Sequence, residues 1–353
     1  METTQTKPVV TAGPKETGKA SGAGKPAAAR GRRLSVTSLL GNRVAQVLTV
    51  EIALIIMFGF LSGGTAFFSD TNVRNMILTA AQVVLLGVAQ AILMSAGQID
   101  ISQGAVVILS SVFGGKVMIA MSGSAPEAVA ITVGLLVCVV TGITVGLING
   151  FLVGRMGINS LVATLGMLSV ASGVAAVVTK GTNIFGLPSG LQSGFGFAQI
   201  AGIPAPTLLM AVVVGVIWYF YRRTSWGTHV LAVGSNRLAA SRVGIPTARK
   251  IAGVFVLSAF VCGISGFIDL ARYSTTDISG HTNDAMASIA GALIGGTSLT
   301  GGGISFVGTI AGSLLAIILQ SGLVIINLSP FYQTIAVGVL LIIAVSLDKL
   351  RRR

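Results

Sequence analysis

The side chains best placed to do chemistry lie around Asp100, in a polar stretch between two apolar runs long enough to cross a membrane. A charged group at membrane depth is costly and must find a partner. Asp100 either lines a polar passage or accepts backbone N–H groups where the next helix begins, and the two roles are compatible. The passage hypothesis predicts these pathway residues: Gln98, Asp100, Ser102, Asn149, Asn159 and Thr164. Hydrogen bonds between helices are the alternative for the last three.

Motifs of catalysis, nucleotide binding and metal binding do not occur in the sequence. There is no GxxxxGK[ST], HExxH or paired-carboxylate pattern. Cys138 and Cys262 lie in apolar runs and are expected to be buried free thiols. His229 and His281 have no partner at ligand spacing, so we expect both to be solvated and neither to bind a metal. The sequence therefore favours a protein that is not an enzyme and holds no cofactor of its own.

The composition is that of a membrane protein. Of the 353 residues, 53% are hydrophobic and only 9% are charged, which a soluble globular chain does not show. The 47 glycines indicate close helix packing and irregular backbone buried in a bundle. The net charge of +13 does not indicate nucleic-acid binding, because no basic stripe is interleaved with aromatic residues.

About ten apolar segments are predicted to be membrane-crossing helices. They cover roughly residues 44–64, 74–96, 101–121, 127–148, 158–179, 206–221, 250–270, 284–296, 304–325 and 332–348. The eighth is short and precedes the Gly-rich residues 295–303, which indicates a broken or re-entrant element. The fold class is all-α and polytopic, with a transmembrane domain at 44–353 and a disordered basic tail at 1–43.

The distribution of Lys and Arg predicts the orientation. Of 23 such residues, eight lie in 1–43, one in a predicted loop at Arg155, six in 222–250 and four at the C-terminus. Positive charge concentrates in cytoplasmic loops, so both termini are expected in the cytoplasm. The longest outward loop is then 180–205. Asp269, Asp277 and Asp284 surround another outward loop, where they either contact a partner or are solvated.

Residues 222–250 form a polar segment with six basic residues and no acidic one, between two predicted spans. Its middle, Gly234 to Gly244, is rich in small residues and predicts one short helix. A basic cytoplasmic loop that carries a short helix is a docking surface.

Four stretches resemble a known family, the permease subunits of bacterial ABC importers for ribose, xylose, fructose and similar monosaccharides. They are QIDISQG at 98–104, NGFLVGRMGINSLVATLGM at 149–167, the segment 222–250, and IGGTSLTGGGISFVGTIAG at 294–312. The resemblance covers about residues 44–353 and implies a sugar-transporting permease in the bacterial inner membrane.

The resemblance also implies the partners. Such permeases form dimers, here a homodimer, and bind two cytoplasmic ATPases that hold ATP and Mg, and an external sugar-binding protein. In that family the loop matching 222–250 carries a coupling helix that inserts into the ATPase. The matching residues here are Gly227, Gly234, Asn236, Ala239, Ala240, Gly244 and Ile245, and a left-handed Gly244 would end the helix.

Two positions depart from the family pattern. Leu238 and Ala287 stand where the family commonly has acidic residues, and Asp284 is a shifted substitute for the second. A branched-chain amino-acid permease is an alternative to the sugar permease. A stand-alone secondary transporter is another, although it would be expected to carry paired intramembrane acids, which the sequence does not show beyond Glu51 and Asp100.

Overall fold

A computed structural model describes residues 43–281 and 283–351. The predicted basic tail lies outside these residues, apart from Arg43. The helices are α1 (Arg43–Leu61), α2 (Asp70–Ser95), α3 (Gln103–Met121), α4 (Glu127–Gly150), α5 (Ser160–Thr179), α6 (Ser189–Leu191), α7 (Ala205–Arg223), α8 (Ser225–Ser235), α9 (Arg237–Arg242), α10 (Thr247–Tyr273), α11 (Asp284–Ile294), α12 (Phe306–Ile325) and α13 (Pro330–Arg351).

Within the described residues, eight helices are long and apolar enough to cross a membrane. They are α1, α2, α3, α4 with its extension to Arg155, α5, α7, α10 and α12. The other two predicted spans are helical as well. The eleven residues of α11 are too few for a span, as predicted, and α13 contains an apolar stretch at Phe331–Ile343. The prediction of an all-α polytopic membrane protein is confirmed.

Helices α2 and α10 form the centre of the bundle. From Leu78 onward nearly every residue of α2 is buried, as are most residues of α10 from Ile251 to Ala271. Helices α7, α10, α11 and α12 pack on α2, while α3 and α4 also pack on α10. Peripheral helices expose apolar side chains, such as Phe60 on α1, Val162 on α5 and Val212 on α7. These outer faces suit contact with lipid, because apolar side chains are stable against the hydrocarbon chains of a membrane and need not be buried in the protein.

Four glycines of α4 and its extension bring this helix against the backbone of α10. A β-carbon on Gly146 would lie 2.8 Å from Ala259 Cβ and 2.9 Å from the carbonyl oxygen of Phe255. Gly142, Gly150 and Gly154 make the same kind of approach, one turn apart each. Small residues at every fourth position allow two membrane helices to pack with their backbones close together.

Two connections differ from the prediction. Arg155 does not lie in a loop, because α4 continues through a π-helical turn, Phe151–Arg155. The segment 180–205, which the sequence predicts to be an outward loop, is not irregular throughout. It contains α6, a second π-helical turn at Gln192–Gly196, and a hairpin of β1 (Gln199–Ile200) and β2 (Ile203–Pro204). Ala201 and Gly202 both have positive φ, which matches the right-handed twist of a two-residue hairpin turn.

The close packing of α4 on α10 leads to a stability prediction. Gly146→Val should destabilise the protein by about 1–3 kcal/mol or more, because the added side chain must push α4 and α10 apart. Thermal unfolding in detergent, followed by fluorescence-detected size exclusion, measures the effect. Gly215→Val on α7 is the matched control, since nothing lies within 4 Å of a β-carbon there. Equal melting temperatures for the two variants would contradict the packing.

Candidate functional site

The predicted polar centre begins with an irregular segment, residues 96–102, between α2 and α3. Gly97 turns the chain with φ +71°. The backbone N–H of Ile99 then donates to Ser160 Oγ at 3.3 Å, and that of Ile101 donates to Thr164 Oγ1 at 3.2 Å. Non-helical backbone inside a membrane bundle needs such substitutes for helical hydrogen bonds. The first turns of α5 supply them.

Asp100 is buried in this segment with Ser102 and Asn149. Its Oδ1 accepts from the Ser102 N–H at 2.8 Å and from Ser102 Oγ at 2.5 Å. Ser102 Oγ accepts in turn from Asn149 Nδ2 at 3.2 Å. All three side chains are almost fully inaccessible to solvent. Asp100 therefore accepts a backbone N–H just before α3, and α3 begins at Gln103, two residues later than predicted.

The structure brings together only part of the predicted pathway set. Asp100, Ser102 and Asn149 form one hydrogen-bonded group, and Thr164 binds the same backbone segment. Asn159 is exposed and caps α5 by accepting from the Leu161 N–H at 2.9 Å. Gln98 bonds locally to the carbonyl oxygen of Ala96 at 3.4 Å. A role of these residues in transport stays a prediction.

The first residue of α3 joins three helices. Gln103 Nε2 donates to Ser258 Oγ of α10 at 3.2 Å, and Ser288 Oγ of α11 donates to Gln103 Oε1 at 2.7 Å. All three side chains are buried. Helix α3 thus begins inside the bundle close to the middle of α10, and the second turn of α11 lies beside it. Discontinuous helices that meet at mid-depth are typical of membrane transport proteins.

His281 lies in a second cluster of polar side chains and is not solvated, contrary to the prediction. Its Nε2 lies 3.2 Å from Asp269 Oδ1 of α10, and its Nδ1 lies 2.7 Å from Asp284 Oδ2 of α11. Asp269 is fully buried and also accepts from Gln82 Nε2 of α2 at 3.2 Å. Asp269 and Asp284 are therefore not both solvated loop acids. His229, by comparison, is half-buried in α8.

The charge state of His281 follows from these contacts. Burial alone lowers the pKa of His281, but the hydrogen bonds and charges of Asp269 and Asp284 raise it well above its ordinary value of 6.5. The imidazolium then donates from both ring nitrogens to two carboxylates. The cluster ties His281 and the start of α11 to α10 and α2. Among the described residues, no group of His, Cys, Asp and Glu has a metal-binding arrangement.

The sequence carries only a faint signal for this cluster. His281 and Asp284 are three residues apart, but Asp269 and Gln82 reach the histidine only through the tertiary fold. Asp284 is hydrogen-bonded to His281. Any role of Asp284 as a substitute for an acid at position 287 must therefore include this bond. The side chain of Ala287 is buried on the same short helix.

The polar segment 222–250 contains two short helices rather than one. Helix α8 ends at Ser235, and Asn236 interrupts it with an extended backbone, φ −158° and ψ 101°. Asn236 Oδ1 then caps α9 by accepting from the Ala239 N–H at 2.9 Å. After α9, Gly244 adopts φ +83°, as the left-handed ending predicts. The prediction of a single helix from Gly234 to Gly244 is wrong.

The predicted coupling residues divide into a group exposed to solvent and a group packed against the rest of the protein. Asn236, Leu238, Ala239 and Gly244 are exposed, and Ile245 is partly buried. The others face inward: Gly227, Gly234 and Ala240. A β-carbon on Gly234 would collide with the carbonyl oxygen of Ser95, and one on Gly227 with that of Tyr221.

The inward contacts connect α8 to the polar centre. Tyr221 OH and Ser95 Oγ share a hydrogen bond of 2.5 Å. The Gly302 N–H, from the Gly-rich segment after α11, donates to the carbonyl oxygen of Ser95 at 2.9 Å. Ser95 ends α2 and leads directly into residues 96–102. A displacement of α8 would therefore reach the segment that holds Asp100.

These features define a class: a multi-pass helical membrane protein with discontinuous helices around a polar centre and a basic helix pair at one end. A family model described as a branched-chain amino acid transport system / permease component matches residues 72–345. The chain belongs to this permease family.

Three curated relatives cover most of the chain. The chain is 30% identical to the D-allose transport system permease protein of Escherichia coli K12, over 84% of this chain and 89% of that protein. It is 28% identical to the ribose import permease protein of the same strain, over 84% and 92%. It is 30% identical to the fructose import permease protein of Rhizobium meliloti, over 89% and 88%. No solved structure matches the chain significantly.

The raised pKa of His281 predicts a pH dependence of stability. A group whose pKa is higher in the folded state stabilises the fold below its unfolded pKa, and this stabilisation is lost as the pH rises through the folded pKa. His281→Gln should therefore lower the stability by about 1.5–3 kcal/mol near pH 6, with a difference that shrinks at higher pH. Thermal unfolding at a series of pH values measures it. His229→Gln is the control, and identical pH profiles for His281→Gln and wild type would contradict the imidazolium bridge.

Proposed function

We propose that this chain is the permease subunit of an ABC importer that moves a monosaccharide across the bacterial inner membrane. The observation that carries the proposal is the family match, together with relatives named for D-allose, ribose and fructose transport over most of the chain. ATP and Mg are bound by separate ATPase subunits, and an external binding protein delivers the sugar. A second copy of the permease completes the pathway.

The exposed residues of α9 suit the contact with the ATPase. Leu238 in α9 and Val243 directly after it expose 62% and 76% of their surface, and each follows an arginine, Arg237 or Arg242. An apolar pair with a basic rim is a recognisable protein-docking surface. Leu238, which replaces an acid of the family pattern, makes this contact more apolar. Ala239 lies exposed between these side chains and limits how closely the ATPase approaches.

The mechanism that follows is alternating access driven from α9. Closure of the ATPases displaces the helix pair α8 and α9, and the close contacts of Gly234 with Ser95 transmit the movement to residues 96–102. The ends of α3 and α11 then shift around Gln103. Because packed helices have discrete arrangements, a small displacement at one end can switch the pathway between two states.

The two alternative functions receive less support. Asp269, which is buried, and Asp284, which is partly buried, form an acidic pair through His281 that the sequence did not reveal, and such a pair would be compatible with ion coupling in a secondary transporter. Membership of the permease family decides against that class. The family description names branched-chain amino acids, but the relatives with high coverage are named for sugars.

Reconstitution of the permease with its ATPase and binding protein tests the proposal and the role of α9. Wild type should take up labelled D-ribose, D-allose or D-fructose only with ATP. Ala239→Trp should lower uptake by about tenfold or more, because a bulky side chain holds the ATPase away from α9 and costs about 1–3 kcal/mol. Membrane insertion and melting temperature should be unchanged, since Ala239 is exposed.

Ala66→Trp is the control for this variant, because Ala66 is exposed in the segment between α1 and α2. It should transport at the wild-type rate. Ala240→Trp should instead unfold the helix pair, since Ala240 is buried. Normal uptake by Ala239→Trp would refute the docking role of α9, and ATP-independent uptake by wild type would refute the importer.

A further inference from the structure

A polar cleft lies between α2, α12 and α13, outside the sites described above. It encloses about 220 Å³. Six uncharged polar side chains line it: Asn72, Asn75, Thr79, Gln320, Ser321 and Gln333. Its apolar part comes from Met76, Ile317 and Val324. Among the described residues, no acidic or basic side chain lines this cleft.

Half of the polar lining is fixed by hydrogen bonds within the protein. Asn72 Oδ1 accepts from Ser321 Oγ at 2.8 Å, and Asn72 Nδ2 donates to the carbonyl oxygen of Phe67 at 2.7 Å. Thr79 Oγ1 accepts from Arg272 Nη2 at 2.9 Å and donates to the carbonyl oxygen of Asn75 at 2.8 Å. These bonds hold α2 against α12 and α10 and fix the shape of the cleft. Arg272 is directed at Thr79 and at the ring of Tyr273.

The other half has unused hydrogen-bonding capacity. The side-chain amides of Asn75, Gln320 and Gln333 have no hydrogen-bond partner among the residues that the structure describes. Each amide offers two donors and an acceptor. Three unpaired amides facing hydrocarbon would be strongly unfavourable. This face therefore meets water, a polar ligand or another polar surface, unlike the apolar outer faces of α1, α5 and α7.

The position of the cleft relates it to transport. Asn72 to Thr79 form the first turns of α2, whereas Ser95 at its other end contacts α8. Thr79 and Ser95 are separated by about 24 Å along the helix, at 1.5 Å per residue. Gln320 lies near the end of α12, and Gln333 lies in the first turn of α13. The cleft thus opens at the end of the bundle opposite the proposed ATPase contact.

We propose that this cleft receives the sugar at the outer end of the permease, with the amides of Asn75, Gln320 and Gln333 hydrogen-bonded to its hydroxyl groups. The inference rests on the proposed function and adds the residues that bind the substrate first. Amides donate and accept, as vicinal hydroxyls do, and the uncharged lining fits a neutral polyol. An amino acid would instead require partners for its carboxylate and ammonium groups.

Replacement of the free amides by methionine tests the proposal. Methionine keeps the length of glutamine but removes its hydrogen bonds, so Gln320→Met with Gln333→Met should preserve the packing. In the reconstituted importer the double variant should take up about tenfold less D-ribose, D-allose or D-fructose per ATP hydrolysed, since each lost hydrogen bond is worth roughly two- to tenfold. Stimulation of the ATPase by the loaded binding protein should stay at the wild-type level. Gln199→Met in the exposed hairpin is the matched control.

Three results would overturn the inference. Unchanged uptake per ATP in the double variant would show that the cleft does not handle the substrate. Dissociation of the two permease copies, seen by mass photometry in the double variant but not in Gln199→Met, would assign the cleft to the contact between copies. ATP-driven uptake of leucine at a rate similar to that of the sugars would show that an uncharged lining does not select a neutral polyol. If the wild-type importer takes up no sugar at all, the proposed function fails together with the inference. If the wild type takes up sugar and the double variant takes up as much per ATP, only the inference fails.

Discussion

Every buried backbone polar group in a membrane bundle must find a partner inside the protein, and this constraint shapes the whole centre of the molecule. Among the described residues, the non-helical segments 96–102 and 295–305 lie within the bundle, and hydroxyl side chains accept backbone N–H groups from both. Ser160 and Thr164 accept from the backbone of residues 96–102. Thr297 Oγ1 accepts from the Ser305 N–H at 3.2 Å and shares a hydrogen bond of 3.1 Å with Thr309 Oγ1.

The same constraint applies where α3 and α11 begin inside the bundle. A helix can begin inside the bundle only where neighbours receive its unpaired groups. Just before α3, Asp100 Oδ1 accepts the Ser102 N–H at 2.8 Å. At the start of α11, the carbonyl oxygen of His281 accepts the Asp284 N–H at 3.2 Å. Helix ends held by side-chain hydrogen bonds can exchange partners at lower cost than a continuous helix can bend, which suits a pathway that must open and close.

Much of the fold could be predicted from the sequence, because apolar runs and basic loops are local signals. The ten apolar segments are all helical, and the short α11 and the left-handed Gly244 agree with the prediction. Other features depend on tertiary contacts and leave no local pattern. The bridge of His281 between two elements is one example. The inward packing of Gly234 is another, since only the approach of the Ser95 carbonyl oxygen shows that a side chain would not fit there.

The central claim is that the α9 end of the bundle contacts an ATPase in the cytoplasm. Photo-cross-linking in cells tests it most directly, with a photoreactive amino acid in place of Leu238, which exposes 62% of its surface, or of Phe68 at the other end, which exposes 52%. The account predicts that position 238 captures an ATP-binding subunit and that position 68 does not. Capture of the ATPase from position 68, with none from position 238, would contradict both the orientation and the docking surface.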